Sequence, residues 1–389
     1  MTSGVGVWAR AGLVVACASL AAGCGSATRT GSGYGSPGRP AYSSSPPAVT
    51  VPLSTSLVTA QGTWAIAVMG GSAAAENDFW QLFVRPPGAS RWSLVTPPGV
   101  ADNGGLVATG TGTSLVVGFR PSQDLAFSPL AASTDTGKNW TPGLLDARLA
   151  DTQDALAAGP SGQALALLQD GSIEAVPTAS AAAAGKWSPL TTLGALAASS
   201  PGRECELQEL QAVSFGPNKD AMTAGSCERP GVAGVFTDAG GTWQSAGLVL
   251  PPEYGSDQVQ VLGLGAEAGG NVALLLAGDS LLAAWSNGAH WTVSGPVPAG
   301  PVRASGFGPD GSAWLLLSGR RADTISGAGG AWRALPAVPP GTVTLAPGPD
   351  GSYDALAVAQ TKLTVWRLTN GAWALLQRFS VPIEYGSSS

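Results

Sequence analysis

The chain is poor in residues that do acid–base or nucleophilic work. His290 is the single histidine, and it stands in Gly288-Ala289-His290-Trp291, at a turn slot held elsewhere by Asn139 and Thr242. A Ser-His-Asp triad and a His-rich metal centre are therefore excluded, and no metal or other cofactor is expected. Gly306-Phe307-Gly308-Pro309-Asp310-Gly311 has the spacing of a dinucleotide fingerprint. That motif needs a helix behind it, whereas Ala313 to Leu317 reads as a strand. Glu253-Tyr254-Gly255-Ser256 pairs a phenol with a carboxylate, as a nucleophile and its base would be paired. The same four residues return as Glu384-Tyr385-Gly386-Ser387, at nearly the same distance after Trp373 as after Trp243. A feature that recurs with its surroundings reads as a connector of a repeated unit before it reads as a unique catalytic centre.

Charge is scarce and clustered. The 389 residues carry 25 acidic and 19 basic side chains, a net charge of −6. Charged residues make up 11% of the chain, against about 25% in an ordinary soluble protein. With four lysines and no basic stripe, nucleic acid is not an expected partner. The charges collect in short segments at 73–78, 120–124, 146–154, 203–209, 227–229, 253–257 and 320–323. Either these segments form a binding surface, or charge simply gathers in exposed loops.

The elements that position them show a period. Thirteen tryptophans, 55 glycines and 30 prolines argue for many short strands joined by turns rather than long helices. Seven tryptophans follow a turn that carries Gly (in one case Gly88, four residues before the Trp) and precede a short run toward Pro or Gly. They are Trp92, Trp140, Trp187, Trp243, Trp291, Trp332 and Trp373, at spacings of 48, 47, 56, 48, 41 and 41. A second mark, Gly-Pro with Ser, Asn or Asp, begins at Gly159, Gly216, Gly308 and Gly348 and reads as a tight turn between two strands. A period in the forties with strand-like composition predicts an all-β, seven-bladed β-propeller of four-stranded antiparallel blades over residues 51–389. Each Trp would open the fourth strand of its blade.

Two of these turns carry more residues in common. Ser133-Thr134-Asp135-Thr136-Gly137-Lys138-Asn139-Trp140 resembles the Asp-box (BNR) repeat of sialidase-like propellers, departing from it at Asn139. Phe236-Thr237-Asp238-Ala239-Gly240-Gly241-Thr242-Trp243 resembles it again, with Phe236 in place of Ser. The resemblance implies a structural role for Asp135, Gly137, Trp140, Asp238, Gly240 and Trp243, on the face opposite a ligand pocket. The ligand face would then be built by the loops between second and third strands and by the blade-to-blade connectors. Candidate residues there are Arg120, Asp124, Arg148, Asp151, Arg229, Glu253, Tyr254, Arg320 and Arg321. Sialidases of this type hold a carboxylate with three arginines and use a Tyr–Glu pair as nucleophile. Phe119-Arg120-Pro121 is only a partial echo of their Phe-Arg-Ile-Pro motif, and it falls in the second blade. The expectation is accordingly a non-catalytic binding or assembly propeller for a glycan, a peptide or an envelope protein, acting as a monomer. A sialidase-like glycoside hydrolase is the alternative.

The amino terminus sets the compartment. Arg10 is the one charge in residues 1–23, and Ala11 to Gly23 is an apolar run of signal-peptide length. Leu20-Ala21-Ala22-Gly23-Cys24 resembles the lipobox of bacterial lipoproteins, which implies cleavage and lipidation at Cys24 and a membrane-anchored, extracytoplasmic protein. Residues 24–50, rich in Gly, Ser and Pro, read as a flexible tether. In an exported chain, Cys205 and Cys227 are expected to form a disulfide between strands or loops of the fourth blade.

Overall fold

The computed structural model describes residues 57–60, 63–70, 79–86, 88–97, 105–120, 125–183, 185–267, 270–288, 290–298, 300–308, 310–348, 351–359 and 362–380. The side chains of residues 57–80, 105, 120 and 267 lie outside this description. The proposed signal peptide, Cys24 and the tether lie outside it as well.

The described strands form seven antiparallel sheets, each a continuous piece of chain. The first is Leu57–Ala60, Thr63–Gly70, Phe79–Arg85 and Ser93–Leu94. The second is Gly105–Thr111, Ser114–Arg120, Ser128–Ser133 and Thr141–Leu145. The third is Leu156–Ala158, Gln163–Leu167, Ser172–Pro177 and Ser188–Thr192. The fourth is Leu207–Phe215, Ala221–Cys227, Ala233–Asp238 and Trp243–Ser245. The fifth is Val259–Glu267, Gly270–Ala277, Ser280–Ser286 and Trp291–Val293. The sixth is Val302–Phe307, Ala313–Leu317, Arg321–Ile325 and Arg333–Ala334. The seventh is Thr342–Pro347, Tyr353–Ala359, Lys362–Thr369 and Ala372–Ser380.

The expectation of uniform four-stranded blades needs one correction: six sheets have four strands, and the fifth has a fifth strand, Val297–Pro298. The third strand of that sheet is seven residues long, but its outer partner covers only Ala284 to Ser286. The returning chain pairs with the uncovered end at Ser280 and Leu281.

The sheets pack face to face, and period-two alternation assigns each side chain to a neighbour. In the fifth sheet Ala273, Leu275, Leu282 and Ala284 share a cluster with the fourth sheet. Val272, Leu274, Leu281, Ala283 and Trp285 share one with Ala313, Leu315 and Leu317 of the sixth. Trp314 and Leu316 turn instead toward Leu345 and Ala355 of the seventh. A strand covered on both faces has to be apolar at every position, which is why Ala313–Leu317 is an unbroken hydrophobic run. The circuit closes where Phe83 and Trp92 of the first sheet pack with Val343, Leu356 and Val358 of the seventh. Leu82 and Val84 face the second sheet from the other side.

The two sequence marks occupy fixed places in each sheet. In each Gly-Pro turn the first Gly N–H donates to the residue four positions on. The pairs are Gly159 to Gln163 (2.8 Å), Gly216 to Asp220 (2.8 Å), Gly308 to Ser312 (2.7 Å) and Gly348 to Ser352 (2.7 Å). All four join first to second strands. The repeated tryptophans stand at or just before the outer strand, and most indoles reach back to the preceding sheet. Trp140 Nε1 donates to Val95 O (2.8 Å), Trp291 to Ala246 O (2.7 Å), Trp332 to Ser294 Oγ (3.1 Å) and Trp373 to Pro336 O (3.1 Å). These four indoles latch successive sheets together, whereas Trp187 Nε1 donates to Ala181 O within its own sheet (3.0 Å).

The widest repeat interval holds two short helices, Leu193–Ala198 and Ser200–Cys205, which composition alone did not suggest. Thr192 Oγ1 and Ser199 Oγ cap them by accepting Ala195 N–H and Gly202 N–H. Cys205 and Cys227 lie at disulfide distance, with Cα atoms 5.3 Å apart. The link therefore joins the end of a helix to the end of a second strand, instead of two strands or loops as expected.

Candidate functional site: the connector face and the central channel

Antiparallel order within each sheet divides the loops between two ends. Turns after the first and third strands share one end. Loops after the second strand, and the connectors to the next sheet, share the other. The Ser133–Trp140 and Phe236–Trp243 turns belong to the first end. Asp135 organises its turn: Oδ1 accepts Asn139 N–H (2.9 Å) and Ser133 Oγ–H (2.9 Å), while Oδ2 accepts Asn139 Nδ2–H (2.6 Å). These bonds favour the carboxylate, Asn139 N–H above all, and hold its pKa down at about 2. Thr136 and Gly137 both take positive φ (63° and 81°), the conformation that the Gly at the second place accommodates. Asp238 does less, accepting Gly241 N–H (2.7 Å).

The other end carries the candidate ligand residues. Arg120 closes a second strand, and Asp124 lies outside the described residues. Arg148 and Asp151 sit on the connector from second to third sheet, where Arg148 borders a cleft lined with Ala147, Leu168, Gln169 and Asp170. Arg229 follows the second strand of the fourth sheet, with its Nη1 3.4 Å from Glu204 O. Glu253 and Tyr254 occupy a 3-10 turn, Pro252–Tyr254, on the next connector. Arg320 ends the turn after the second strand of the sixth sheet, and Arg321 opens its third strand. Arg320 Nε donates to Val338 O (2.6 Å), while Arg321 Nε lies 2.8 Å from Asp323 Oδ2 without hydrogen-bond alignment.

These residues share one end of the molecule, but the arginines are dispersed over separate sheets with separate partners. Tyr254 packs against the core between the fourth and fifth sheets. Desolvation, then the charges of Glu253 and Asp257, raise its phenol pKa, the reverse of what a nucleophilic phenolate needs.

The structure adds a feature of the second-to-third connector that was read only as charged surface. Residues 152–154 leave the rim and cross the central channel, where they bond to the innermost strands of three other sheets. Thr152 Oγ1 donates to Gln211 O (2.5 Å), Ser305 Oγ lies 3.4 Å from Gln153 Oε1, and Leu264 N–H donates to Asp154 Oδ2 (3.1 Å). Val213 N–H donates to Asp154 O (2.9 Å), and Gln211 Oε1 accepts Val261 N–H (2.9 Å). β-Bulges make these bonds necessary. The inner strands slip register between Leu210 and Ala212 and between Val261 and Gly263, and the plug and Gln211 satisfy backbone groups beside those slips. Asp154 is half-buried. Desolvation pushes its pKa up to about 6, against the smaller opposing effect of Leu264 N–H. Nothing local in the sequence marks Asp154, because its amide partner is 110 positions away.

No protein-family model and no curated protein matches this chain. Solved structures do resemble it at low identity. The GH74 xyloglucanase from Xanthomonas campestris is 14% identical with a TM-score of 0.55, over 82% of this chain and 53% of that one. The present chain thus spans about half the length of that enzyme. A protein from Lactobacillus plantarum is 12% identical with a TM-score of 0.54, over 82% of this chain and 97% of its own. At these identities the likeness concerns architecture: the chain is an all-β propeller built of four-stranded antiparallel blades.

Proposed function

We propose that this protein is an extracytoplasmic binding or assembly propeller, tethered to the cell membrane through a lipid on Cys24. It recognises a glycan, a peptide or an envelope protein without chemistry. In this reading the seven sheets are the seven blades of a closed ring, and the turns at Asp135 and Asp238 are Asp-box turns that stiffen the end away from the ligand. The observation that carries the reading is a concentration of charge at the connector end: Arg148, Asp151, Arg229, Glu253, Arg320 and Arg321 fall there beside Tyr254, while Asp135, Lys138, Asp220 and Asp238 lie at the other end. In a chain with so few charges, this supports a recognition surface there. The dispersed arginines and the raised phenol pKa at Tyr254 favour recognition over glycoside hydrolysis.

The test is a glycan-array and fluorogenic-glycoside screen on the full-length protein, with crosslinking at the membrane for protein partners. Binding without turnover is expected, weakened about tenfold or more when Arg229→Ala and Arg321→Ala are combined, at about 1 kcal/mol per lost charged contact. Glycoside turnover abolished by Tyr254→Phe would overturn the proposal and make the protein a hydrolase.

A further inference from the structure

Asp154 has an open valence. Oδ2 accepts Leu264 N–H, and among the described residues the carboxylate has no ion pair and no donor for Oδ1. The nearest charged side chains on the elements around it sit elsewhere. Arg148 and Asp151 are on its own connector, Glu209 is exposed on the fourth inner strand, and Arg303 is exposed on the sixth. The described side chains of the fifth inner strand are uncharged up to Ala266. None of these groups contributes to the shift of Asp154, which desolvation dominates.

The wall beside Asp154 is unusual in what it omits. Gly263 and Gly265 leave the fifth inner strand without side chains where the carboxylate approaches it. A Cβ on Gly263 would lie 3.3 Å from Asp154 Oδ2 and 3.3 Å from Phe307 Cε2, and one on Gly265 would lie 3.0 Å from Phe307 Cδ2. A carboxylate and an aromatic ring thus flank one bare stretch of backbone inside the channel. A partly buried anion near a ring, with no protein cation paired to it, is complementary to a protonated amine, which bonds to the oxygen and rests its carbon chain against the ring. A divalent metal would need more oxygen ligands than one carboxylate supplies.

We propose that Asp154, with Phe307 and the Gly263–Gly265 backbone, forms a binding site for a primary ammonium group inside the central channel. The amine is either a small free molecule or the side chain of a lysine presented by a peptide. This site is separate from the connector-face residues: Asp154 ends the charged segment 146–154, but its carboxylate bonds to the fifth inner strand rather than facing the connector end.

The experiment is calorimetric titration of the full-length protein with n-butylammonium and with N-acetyl-lysine methylamide, with n-butanol as the neutral control. Both ammonium probes, or one of them, should bind at pH 7.5 while butanol does not. The butylammonium result alone would indicate a small amine, and the lysine derivative a peptide. Only the ionised carboxylate is competent, so affinity should fall about tenfold between pH 7.5 and pH 5, one unit below the apparent value near 6. Asp154→Asn, which retains an acceptor for Leu264 N–H, should weaken binding at least tenfold and abolish its pH dependence. Absence of binding by either probe up to about 50 mM, pH-independent binding, or wild-type affinity in the Asn variant would overturn the proposal.

Discussion

Replacing Asp354 by Asn should destabilise the ring at the junction of its first and last sheets. Asp354 has no solvent exposure. Its Oδ2 accepts Arg85 Nη1–H (2.6 Å), Trp92 Nε1–H (2.9 Å) and Arg367 Nη2–H (2.9 Å), and its Oδ1 accepts Arg367 Nε–H (2.7 Å). The Asn side chain keeps the shape but removes the charge and turns one acceptor into a donor that faces guanidinium groups. Arg367 is 22% exposed and can recover water, but Arg85 is 5% exposed and cannot. Breaking a buried pair by removing one partner costs about 3–5 kcal/mol, because the remaining charge is stranded. In a body of this size that lowers Tm by roughly 4–7 °C. The assay is equilibrium urea unfolding together with calorimetry of wild type, Asp354→Asn, Arg85→Met and the double variant. The double variant should recover much of the loss, since it removes the stranded charge as well. A single-variant loss below about 1 kcal/mol, or strictly additive losses, would refute the argument that the Asp354 carboxylate compensates the buried Arg85 guanidinium across this junction.

Other expectations are smaller. Trp291→Phe keeps most of the packing but loses the indole bond to Ala246 O, and should cost about 1 kcal/mol in urea unfolding. Cys205→Ser with Cys227→Ser opens a loop of 22 residues and should cost about 3 kcal/mol, an effect reproduced in wild type by a reductant. The folded pKa of Asp154, about 6, lies above the ordinary 3.8, so ionisation opposes folding. Stability should therefore rise as pH falls from about 7 toward 4, by up to about 3 kcal/mol. Asp154→Asn should flatten that profile and be the more stable protein above pH 6. Asp135 has the opposite sign, with a folded pKa of about 2 below the ordinary 3.8. Its contribution is complete above 3.8 and lost as pH falls through 2, so Asp135→Asn should erase the acid-side loss that its own titration causes in a melting series.

The fold was legible wherever one residue type has to recur. Trp92, Trp140 and the five later tryptophans announced the outer strands because every outer strand faces the same problem of reaching the preceding sheet. The Gly-Pro turns announced the first hairpins because each needs a preset φ followed by a positive one. The helices at 193–205 escaped because each is only six residues long, too short for a helical period to show, and their caps, Thr192 and Ser199, look like ordinary loop residues. The channel plug escaped for a different reason. Asp151 and Asp154 have identical local character, and only the second meets an inner strand, by a contact that no window on the sequence contains. Charge scarcity pointed correctly to segment 146–154 as unusual, but composition cannot separate a charge at the rim from one drawn into the channel.

The same distinction explains where the buried ions are. Every pair of neighbouring sheets but one is joined by a chain connector, which holds the two close together before any side chain acts. Among the described residues the first and seventh sheets are not, because each described sheet is a continuous piece of chain and no described strand is exchanged between them. Their described contacts are made by side chains, across 269 positions of sequence. Apolar packing of Phe83 against Phe379, with ring centroids 4.9 Å apart, provides attraction but little choice of register. A fully desolvated carboxylate, held by Arg367 of its own sheet, that must meet Arg85 and the Trp92 indole of the first sheet provides the register, since a slip separates the buried charges of Asp354 and Arg85. Gln377 adds to it by pairing both polar atoms with the Trp92 backbone, Oε1 accepting N–H (3.0 Å) and Nε2 donating to O (3.0 Å). Trp92 makes the same latch as Trp140, Trp291, Trp332 and Trp373, but its indole ends on Asp354. A latch that elsewhere reinforces a connected pair is here part of a side-chain clasp, and the charge cluster stands at the one interface that, among the described residues, no connector spans.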